Sequence, residues 1–395
     1  MKKFVNGPIN SVRIEGQIGN INKVLYVFFD IHVPESFQTE CVDFRAMEFK
    51  DYLIKNFDLA TKNKVNVDFF LEMYTIYGAF DERFSGEVLK QRRSYLANLR
   101  KFFKQNFNFD KEANKIHESK DFPKTRLHYI DFRDLFIYDI IFGKLPQINN
   151  YFDNYLWNNK NILEQDIHFF RNEISYIDQR MVFLKGYIYE GKKIKGEKDA
   201  VLMMFEKIIN KILNVYENKE VKQVLRKYFL DNFIKYFNKY DDNIRNLLDQ
   251  LEFLEKVVVE NKNKLNEENE YGINFTKLMT QYLPNLWKAL DKLELVLLHM
   301  SAFIIDIYFL RRFLDKKYIS NSLIYTGGAH SCNYLFFLIK YFGFKITNSS
   351  YQRKPSKDIV SLINKTNDYV DLKQMFYPQE LYQCSDLTDF PDSFL

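Results

Sequence analysis

The chain has few cysteines, and they form no zinc-binding pattern. Its 395 residues include three cysteines, Cys41, Cys332 and Cys384, which lie far apart along the sequence. Their spacing excludes the paired-cysteine zinc modules and favours a reducing compartment. We predict that Cys41 is a buried, inert thiol, and a nucleophile acting beside His32 is the less favoured alternative.

The most apolar run of the chain is also shorter than an ordinary membrane span. The most apolar segment, residues 295–310, contains His299, Ser301 and Asp306, and it is shorter than the ~20 residues that span a bilayer. The first residues contain no apolar core of a secretory signal. We therefore predict a buried helix at 295–310, no transmembrane segment and a cytoplasmic location.

Charge of one sign is not in excess, since 57 basic residues are nearly balanced by 52 acidic ones. The net charge of +5 gives no strong signal for nucleic acid or an anionic membrane as a partner. Aromatic residues make up 17% of the chain, and aromatic rings can stack on nucleic-acid bases. Because they lie mostly in apolar runs, we assign them to the core and to an AT-rich coding sequence.

Apolar patterning places strands and helices in alternation at both ends of the chain. Strands are predicted at residues 12–18, 24–29, 65–71, 126–130, 323–326 and 343–346, and helices at 42–57, 87–107 and 330–341. Between the two ends, apolar residues recur at three- and four-residue steps, as in residues 244–258, which indicates helices. We therefore predict an α/β fold with a central, mostly parallel sheet built from both chain ends.

The same patterning gives the predicted domain organisation. It consists of an N-terminal α/β half at 1–144, a large helical insertion at 145–298, a C-terminal α/β half at 299–348 that completes the sheet, and an irregular tail at 349–395. This arrangement allows two histidines from distant parts of the chain, His32 and His330, to meet.

Polar residues follow the predicted buried strands, where ligands and reactive groups gather in open α/β sheets. They are Asp30 and His32 after the first, Glu72 after the second, Asp131 and Arg133 after the third, and His330 after the last. Histidines and carboxylates on neighbouring strand ends can hold a divalent metal, which activates water. An arginine such as Arg133 can bind an anionic group, and the pair Gly327 and Gly328 lets the backbone approach a ligand. Each residue taken singly is more often structural than functional.

These residues resemble the motifs of the superfamily that groups TraB proteins, Tiki metalloproteases, ChaN haem-binding proteins and erythromycin esterases. The motifs are Phe29-Asp-Ile-His32, Phe69-Phe-Leu-Glu72, Tyr129-Ile-Asp131-Phe-Arg133-Asp134 and Gly327-Gly-Ala-His330. The resemblance covers two blocks and implies a metal-dependent hydrolase with a helical insertion between its halves. One departure is Phe29, which stands where the superfamily has a glycine and would narrow access to His32.

The chain is also similar to uncharacterised proteins of giant nucleocytoplasmic DNA viruses. In those proteins an Asp-x-Tyr-x-Leu-x-Arg stretch, here Asp306 to Arg312, precedes a Tyr-x-Gly-x-x-His turn, here Tyr325 to His330. This resemblance implies a location in the host cytoplasm, a viral factory or the virion. A carboxylate in an apolar helix needs a partner. For Asp306 we expect an arginine (Arg133, Arg311 or Arg312) or a core histidine, His299.

Two classes of function follow from these observations. The first is a metal-dependent hydrolase acting on a small-molecule or peptide substrate, with His32 and His330 as metal ligands, Glu72 activating water and Arg133 binding substrate. The second is a non-catalytic viral structural or interaction protein that contacts other viral proteins. A binuclear phosphoesterase ranks below both, because only its first motif, Asp30-Ile-His32, occurs here.

Overall fold

The structure is a computed structural model that describes residues 3–31, 40–74, 95–107, 109–110, 115–116, 118–131, 144–145, 147–150, 164–191, 200–265 and 271–394. The chain forms two compact units. The first comprises residues 1–134, 216–224 and 305–395, and the second comprises residues 135–215 and 225–304. His32 and Arg133, two of the predicted site residues, lie outside the described residues.

The first unit contains the described strands. They are β1 (Phe4–Asn6), β2 (Asn10–Ile18), β3 (Ile21–Asp30), β4 (Met47–Glu48), β5 (Val67–Tyr74), β6 (Phe109–Asp110), β7 (Lys115–Ile116), β8 (Thr125–Asp131), β9 (Asn321–Gly327), β10 (Lys345–Ser349) and β11 (Cys384–Asp386). Its helices are α1 (Phe49–Lys62) and α2 (Tyr95–Asn106). Three more helices, from the C-terminal part of the chain, belong to the same unit.

A six-stranded sheet with the order β10-β2-β3-β9-β5-β8 forms the centre of this unit. The four strands β3, β9, β5 and β8 run parallel, and β2 and β10 extend the sheet in antiparallel fashion. The C-terminal strand β9 lies between two N-terminal strands. The prediction of a mostly parallel sheet built from both chain ends is therefore confirmed.

The second unit is helical in its described residues. It contains α3 (Glu164–Glu190), α4 (Ala200–Asn214), most of α5 (Lys219–Leu265) and the first part of α6 (Tyr271–Asp315). The rings of Phe229 and Phe233 stack on Phe303 in its core, at centroid distances of 6.1 and 6.4 Å. This unit confirms the predicted large helical region.

Three further helices follow in the first unit: α7 (Gly328–Phe342), α8 (Ser356–Lys365) and α9 (Val370–Phe376). An aromatic core fills one face of the sheet, between its strands and the helices α1 and α2. Its members include Tyr26, Phe28, Phe49, Leu53, Phe57, Phe69, Leu71, Leu99, Phe103 and Tyr325. Phe309 of α6 packs on the other face, against Phe70 of β5 and Tyr334 of α7.

A buried lysine fixes the end of α6 against β3. Lys23 is 1% exposed, and its ammonium donates hydrogen bonds to the carbonyl oxygens of Phe313, Lys316 and Ile319, at 2.8, 3.0 and 2.5 Å. The carbonyl of Phe313 lies in the last turn of α6, where it has no partner within the helix, and those of Lys316 and Ile319 lie in the loop that follows. This contact holds the C-terminal part of α6, which carries Asp306, against the sheet.

The segment after residue 348 differs from the irregular tail that we expected. It contains α8, α9 and β11, and β11 pairs with β1 at the other end of the chain. Leu387, Phe390 and Phe394 are buried in the aromatic core. Ile359 and Ile363 of α8 are buried four residues apart, as on one face of a helix, but only the tertiary structure shows that Leu387, Phe390 and Phe394 belong to the core of the sheet.

Two other expectations are corrected. Residues 42–46 are not helical, because α1 begins at Phe49 and is preceded by β4. Cys41 is not an inert thiol, because it forms a disulfide with Cys384 across a sequence separation of 343 residues. Its Cα lies 4.9 Å from that of Cys384. Cys332 is a free, buried thiol, whose pKa is raised by burial.

Within the described residues, one helical stretch, Tyr282–Asp315, is long and apolar enough to cross a membrane. Its most apolar window is 67% buried inside the protein. This burial is typical of a core helix, in agreement with the prediction of a buried helix at 295–310.

Candidate active site

The carboxyl ends of β3, β9 and β5 bring several of the predicted residues to one edge of the sheet. Asp30, the last residue of β3, is paired in register with Gly327, the last residue of β9. On the other side of β9, Leu71 of β5 is paired with Tyr325, so that Glu72 reaches the same edge. The chain passes from β9 directly into α7, which carries His330 in its first turn.

His330 lies between two carboxylates. Its Nδ1 is 2.5 Å from Asp306 Oδ1, and its Nε2 is 3.5 Å from Glu72 Oε1. The three residues are almost fully buried, with 8%, 3% and 3% of their surfaces exposed. The structure therefore brings together two residues predicted at strand ends, Glu72 and His330, with the predicted helix residue Asp306.

The two carboxylates are themselves held by hydrogen bonds. The backbone N–H of Gly327 donates to Glu72 Oε2 at 2.8 Å, which places this carboxylate at the N-terminus of α7, where negative charge is favoured. The side-chain amide of Asn333 donates to Asp306 Oδ2 at 2.6 Å. Both carboxylates are thus oriented toward the imidazole by donors on β9 and α7.

Burial alone would lower the pKa of His330, because it disfavours the charged imidazolium. The negative charges of Asp306 and Glu72, together with their hydrogen bonds, outweigh this effect and raise the pKa of His330 to about 10. In the absence of a bound cation, His330 is therefore an imidazolium at neutral pH, and one positive charge faces two negative ones.

The partner of Asp306 is a correction to the sequence prediction. We expected an arginine or His299, because His299 lies two turns earlier on the same helix. The carboxylate instead bonds to His330 and Asn333 of α7. The motif His330-Ser-Cys-Asn333 places both side chains on one helical face, but no sequence pattern shows that this face meets Asp306.

Asp30 belongs to a second cluster at the same edge of the sheet. Its Oδ1 accepts hydrogen bonds from Tyr325 Oη at 3.1 Å and from the side-chain amide of Gln383 at 3.2 Å. Burial raises the pKa of Tyr325 well above its usual value, and the nearby Asp30 carboxylate adds to this shift. Gln383 is fully buried, and the sequence analysis did not identify it.

The remaining predicted residues have different surroundings. Asp131 is fully buried at the end of β8, whereas His32 and Arg133 lie outside the described residues. Gly328 makes room for the C-terminal segment, because a Cβ built on it would meet the Tyr377 hydroxyl. Phe29 occupies the position at which the TraB and erythromycin esterase superfamily has a glycine. It is fully buried and packs against Phe376 and Tyr377.

The donor set fits a divalent cation only in part. Two donors bound to one zinc ion at about 2.0–2.2 Å are roughly 3–3.5 Å apart, and His330 Nε2 and Glu72 Oε1 are separated by 3.5 Å. Among the described residues, no group of three or more histidines, cysteines or carboxylates is placed to hold a metal ion. His330 and Glu72 thus offer two ligands of suitable chemistry.

Comparison with known proteins gives the family. Residues 3–395 match the family of unknown function DUF5847. The chain belongs to this family. Three similar relatives are uncharacterised proteins of Acanthamoeba polyphaga mimivirus, at 31%, 29% and 28% identity. The alignments cover 100%, 99% and 99% of this chain and 98%, 98% and 97% of the relatives.

Membership of this viral family confirms the resemblance to giant-virus proteins. No solved structure is significantly similar to the chain. The wider resemblance to the TraB and erythromycin esterase superfamily stays a prediction, and the same is true of the metal and of hydrolase activity.

Proposed function

We propose that this DUF5847 protein is a metal-dependent hydrolase, acting on an ester or peptide bond, with its site at the carboxyl ends of β3, β5 and β9. The observation that carries the proposal is the position of His330 between Asp306 at Nδ1 and Glu72 at Nε2. In metal sites of proteins, a ligating histidine commonly donates its other ring N–H to a carboxylate, which fixes the tautomer and the ring orientation.

In this proposal His330 Nε2 and Glu72 Oε1 hold a divalent cation, and Asp306 orients the imidazole. A divalent cation supplies Lewis acidity and lowers the pKa of water, so that a nucleophile is present near neutral pH. Asn333 keeps the second oxygen of Asp306 engaged, and the Gly327 N–H does the same for Glu72. His32 is the proposed third ligand and Arg133 the proposed substrate-binding residue, in line with the superfamily resemblance.

The same two carboxylates that hold a proton on His330 also favour a cation in its place. Because the pKa of His330 is raised to about 10 without a cation, metal binding near pH 7 must release the proton from Nε2. Metal affinity is therefore expected to increase with pH. This coupling is a specific signature of a ligand that is protonated in the metal-free protein.

Titration calorimetry of the chelator-treated, full-length protein with Zn²⁺ and Mn²⁺ tests this proposal. We expect one cation per chain, proton release that is detected as a dependence on the ionisation enthalpy of the buffer, and tighter binding at pH 8.5 than at pH 7. His330→Gln should abolish binding, and Asp306→Asn should weaken it by about 10- to 100-fold. The exposed His168 provides a matched control, because His168→Ala should leave binding unchanged.

Hydrolysis is measured on the same proteins with a panel of chromogenic esters and short peptides. Activity should require the cation and should be lost in Glu72→Gln and His330→Gln but not in His168→Ala. The proposal is wrong if neither cation binds the wild-type protein, or if His330→Gln binds as tightly as the wild type.

A second candidate function is a non-catalytic structural or interaction protein of a virus. The observation that favours it is that His330 is only 8% exposed and both of its ring nitrogens face carboxylates. Such an arrangement also serves as a buried ionic link between α6, α7 and β5. If this candidate is correct, the protein binds no cation. The only effect of His330→Gln is then a large loss of stability.

A further inference from the structure

Two adjacent residues of the C-terminal segment contact two positions close to one another along the N-terminal chain. Gln383 donates a hydrogen bond to Asp30, the last residue of β3, at 3.2 Å. Cys384 forms the disulfide with Cys41, which follows Asp30 by eleven positions in the sequence. The C-terminal segment is therefore joined both to the end of β3 and to residues 40–46, here called the post-β3 segment.

The C-terminal side of the disulfide is firmly held by contacts other than the S–S bond. The backbone N–H of Gly7 donates to Gln383 O at 2.9 Å, and that of Leu387 donates to Lys3 O at 2.7 Å. Ser385, fully buried, donates to Pro8 O at 3.0 Å. Three apolar side chains, those of Leu387, Phe390 and Phe394, are buried in the aromatic core.

The post-β3 segment lies at the surface of the protein. None of its residues is buried, and Val42 and Phe44 are 100% and 93% exposed. It is connected to the remainder by a hydrogen bond from the Cys41 N–H to Asn6 Oδ1 at 2.9 Å and by one from Tyr95 Oη to Glu40 at 3.3 Å. Within the segment, the backbone N–H groups of Arg45 and Ala46 donate hydrogen bonds to Asp43.

We propose that the Cys41–Cys384 disulfide is a redox-sensitive clasp, which holds the post-β3 segment against the C-terminal strand β11 and releases that segment when it is reduced. The two sides of the bond differ in their anchoring, so only the post-β3 segment is freed while β11 stays paired with β1. Free energies of opening vary along a chain, and regions with few buried contacts open first. The clasp is independent of the proposed hydrolase function.

The reductant is a dithiol. One of its thiolates attacks a sulfur of the Cys41–Cys384 bond, a mixed disulfide forms, and the other cysteine leaves as a thiolate. The second thiolate of the reductant then breaks the mixed disulfide. The products are two cysteine thiols, which have taken up two protons, and the oxidised disulfide form of the reductant, so that two electrons are transferred in all.

Release of the post-β3 segment leaves the contacts at the end of β3 in place. The segment follows the end of β3 along the chain, whereas Gln383, on the firmly held side, keeps its hydrogen bond to Asp30. Reduction is thus expected to free residues 40–46 without disturbing β3. It also frees Val42 and Phe44, two exposed apolar side chains, from a fixed position on the surface.

Hydrogen exchange of the oxidised and dithiothreitol-treated full-length protein, followed by mass spectrometry of its peptides, tests the clasp. Reduction should increase the exchange rate of peptides covering residues 40–46 by more than about tenfold, because a disulfide limits opening of the chain that it joins. Peptides covering residues 384–394 and β3 should keep their protection. Cys41→Ser and Cys384→Ser should each give the reduced pattern without dithiothreitol and show no further response to it.

Cys332→Ala is the matched control, because it removes the thiol outside the pair and should leave the response to dithiothreitol as in the wild type. Three results overturn the clasp. The first is an intact mass with three free thiols under non-reducing conditions. The second is unchanged exchange at residues 40–46 after reduction. The third is simultaneous loss of protection at residues 40–46 and 384–394, which would make the disulfide a link that stabilises the whole unit.

Discussion

Gly328 lies directly beneath the hydroxyl of Tyr377. A Cβ built on Gly328 would be 1.9 Å from Tyr377 Oη and 2.4 Å from its Cζ, distances that no real pair of atoms adopts without a shift. Gly328 begins α7, the helix that carries His330, and Tyr377 directly follows α9 in the C-terminal segment. The absence of a side chain at Gly328 therefore leaves room for the ring of Tyr377 over the start of α7.

Gly328→Ala is expected to destabilise the protein by about 1–3 kcal/mol, the usual cost of forcing extra volume into a packed site. Urea unfolding of the wild type, Gly328→Ala, Tyr377→Ala and the double variant gives the coupling between the two positions. The alanine at 328 should cost much less when Tyr377 is absent. Additive losses would contradict a direct clash between the two residues.

The free energy of unfolding of the metal-free protein should depend on His330 between neutral and alkaline pH. Since the folded pKa is raised to about 10 from 6.5, the stabilisation is fully present below pH 6.5 and is lost as pH rises through 10. Unfolding in the presence of a chelator measures this dependence. The difference between wild type and His330→Gln should be on the order of 3–5 kcal/mol at pH 6 and should decrease as pH rises from 6.5 to 10.

Asp68 is expected to dominate the acid side of the stability profile. It is fully buried, its two oxygens accept hydrogen bonds from Arg126 at 2.8 and 2.6 Å, and His128 Nε2 lies 2.7 Å from Oδ1. Burial alone would raise the pKa of Asp68, but the bonds from His128 and Arg126 outweigh it and lower the pKa below 3.8. This stabilisation is present above pH 3.8 and is lost as pH falls through the folded pKa.

Asp68→Asn should therefore cost about 1–3 kcal/mol at pH 7, because Arg126 loses its charged partner. The difference from wild type should decrease in unfolding experiments as the pH falls below 3.8. Burial lowers the pKa of His128 despite the neighbouring Asp68, which adds a loss of stability as pH falls below 6.5. Asp58→Asn, at an exposed position of α1, is the matched control, and an equal loss there would contradict the prediction.

The C-terminal segment should be essential for folding, because its aromatic residues complete the core. Phe394 is 1% exposed and its ring contacts those of Tyr26 and Tyr52 at 5.0 and 5.5 Å. Phe394→Ala is expected to cost about 3–5 kcal/mol, measured by urea or thermal unfolding. Tyr382→Ala, at a 44% exposed position of the same segment, should change stability little. If Phe394→Ala lowered the free energy of unfolding as little as Tyr382→Ala, Phe394 would not be part of the core.

The parallel strands and the site edge were predictable because the signal for them is local. Val24 to Phe29, Val65 to Leu71 and Leu323 to Thr326 are short apolar runs that end in polar residues, and buried parallel strands require this pattern. A parallel arrangement then places Glu72 and the start of α7 at one edge of the sheet. The sequence alone was therefore sufficient to predict the parallel strands and the edge at which Glu72 and the start of α7 meet.

Pairings between distant parts of the chain were not predictable in the same way. The disulfide joins residues 343 positions apart, and the bond of Gln383 to Asp30 spans 353 positions. Neither Cys384 nor Gln383 lies in a periodic sequence pattern. For Asp306, the helical spacing that pointed to His299 was a genuine pattern, but the packing of α6 against α7 decided the partner.

The order of strands in the sheet has a consequence for synthesis of the protein. Strand β9 separates β3 from β5, and Gly327 follows Glu72 by 255 residues. At about 5–20 residues per second, a ribosome adds those residues in roughly 13–50 s. During that interval the edges of β3 and β5 that β9 will occupy have no native partner, and unpaired strand edges promote aggregation. The sheet is thus completed only when most of the chain has been made, and the nascent N-terminal half is the stage at which a chaperone would bind.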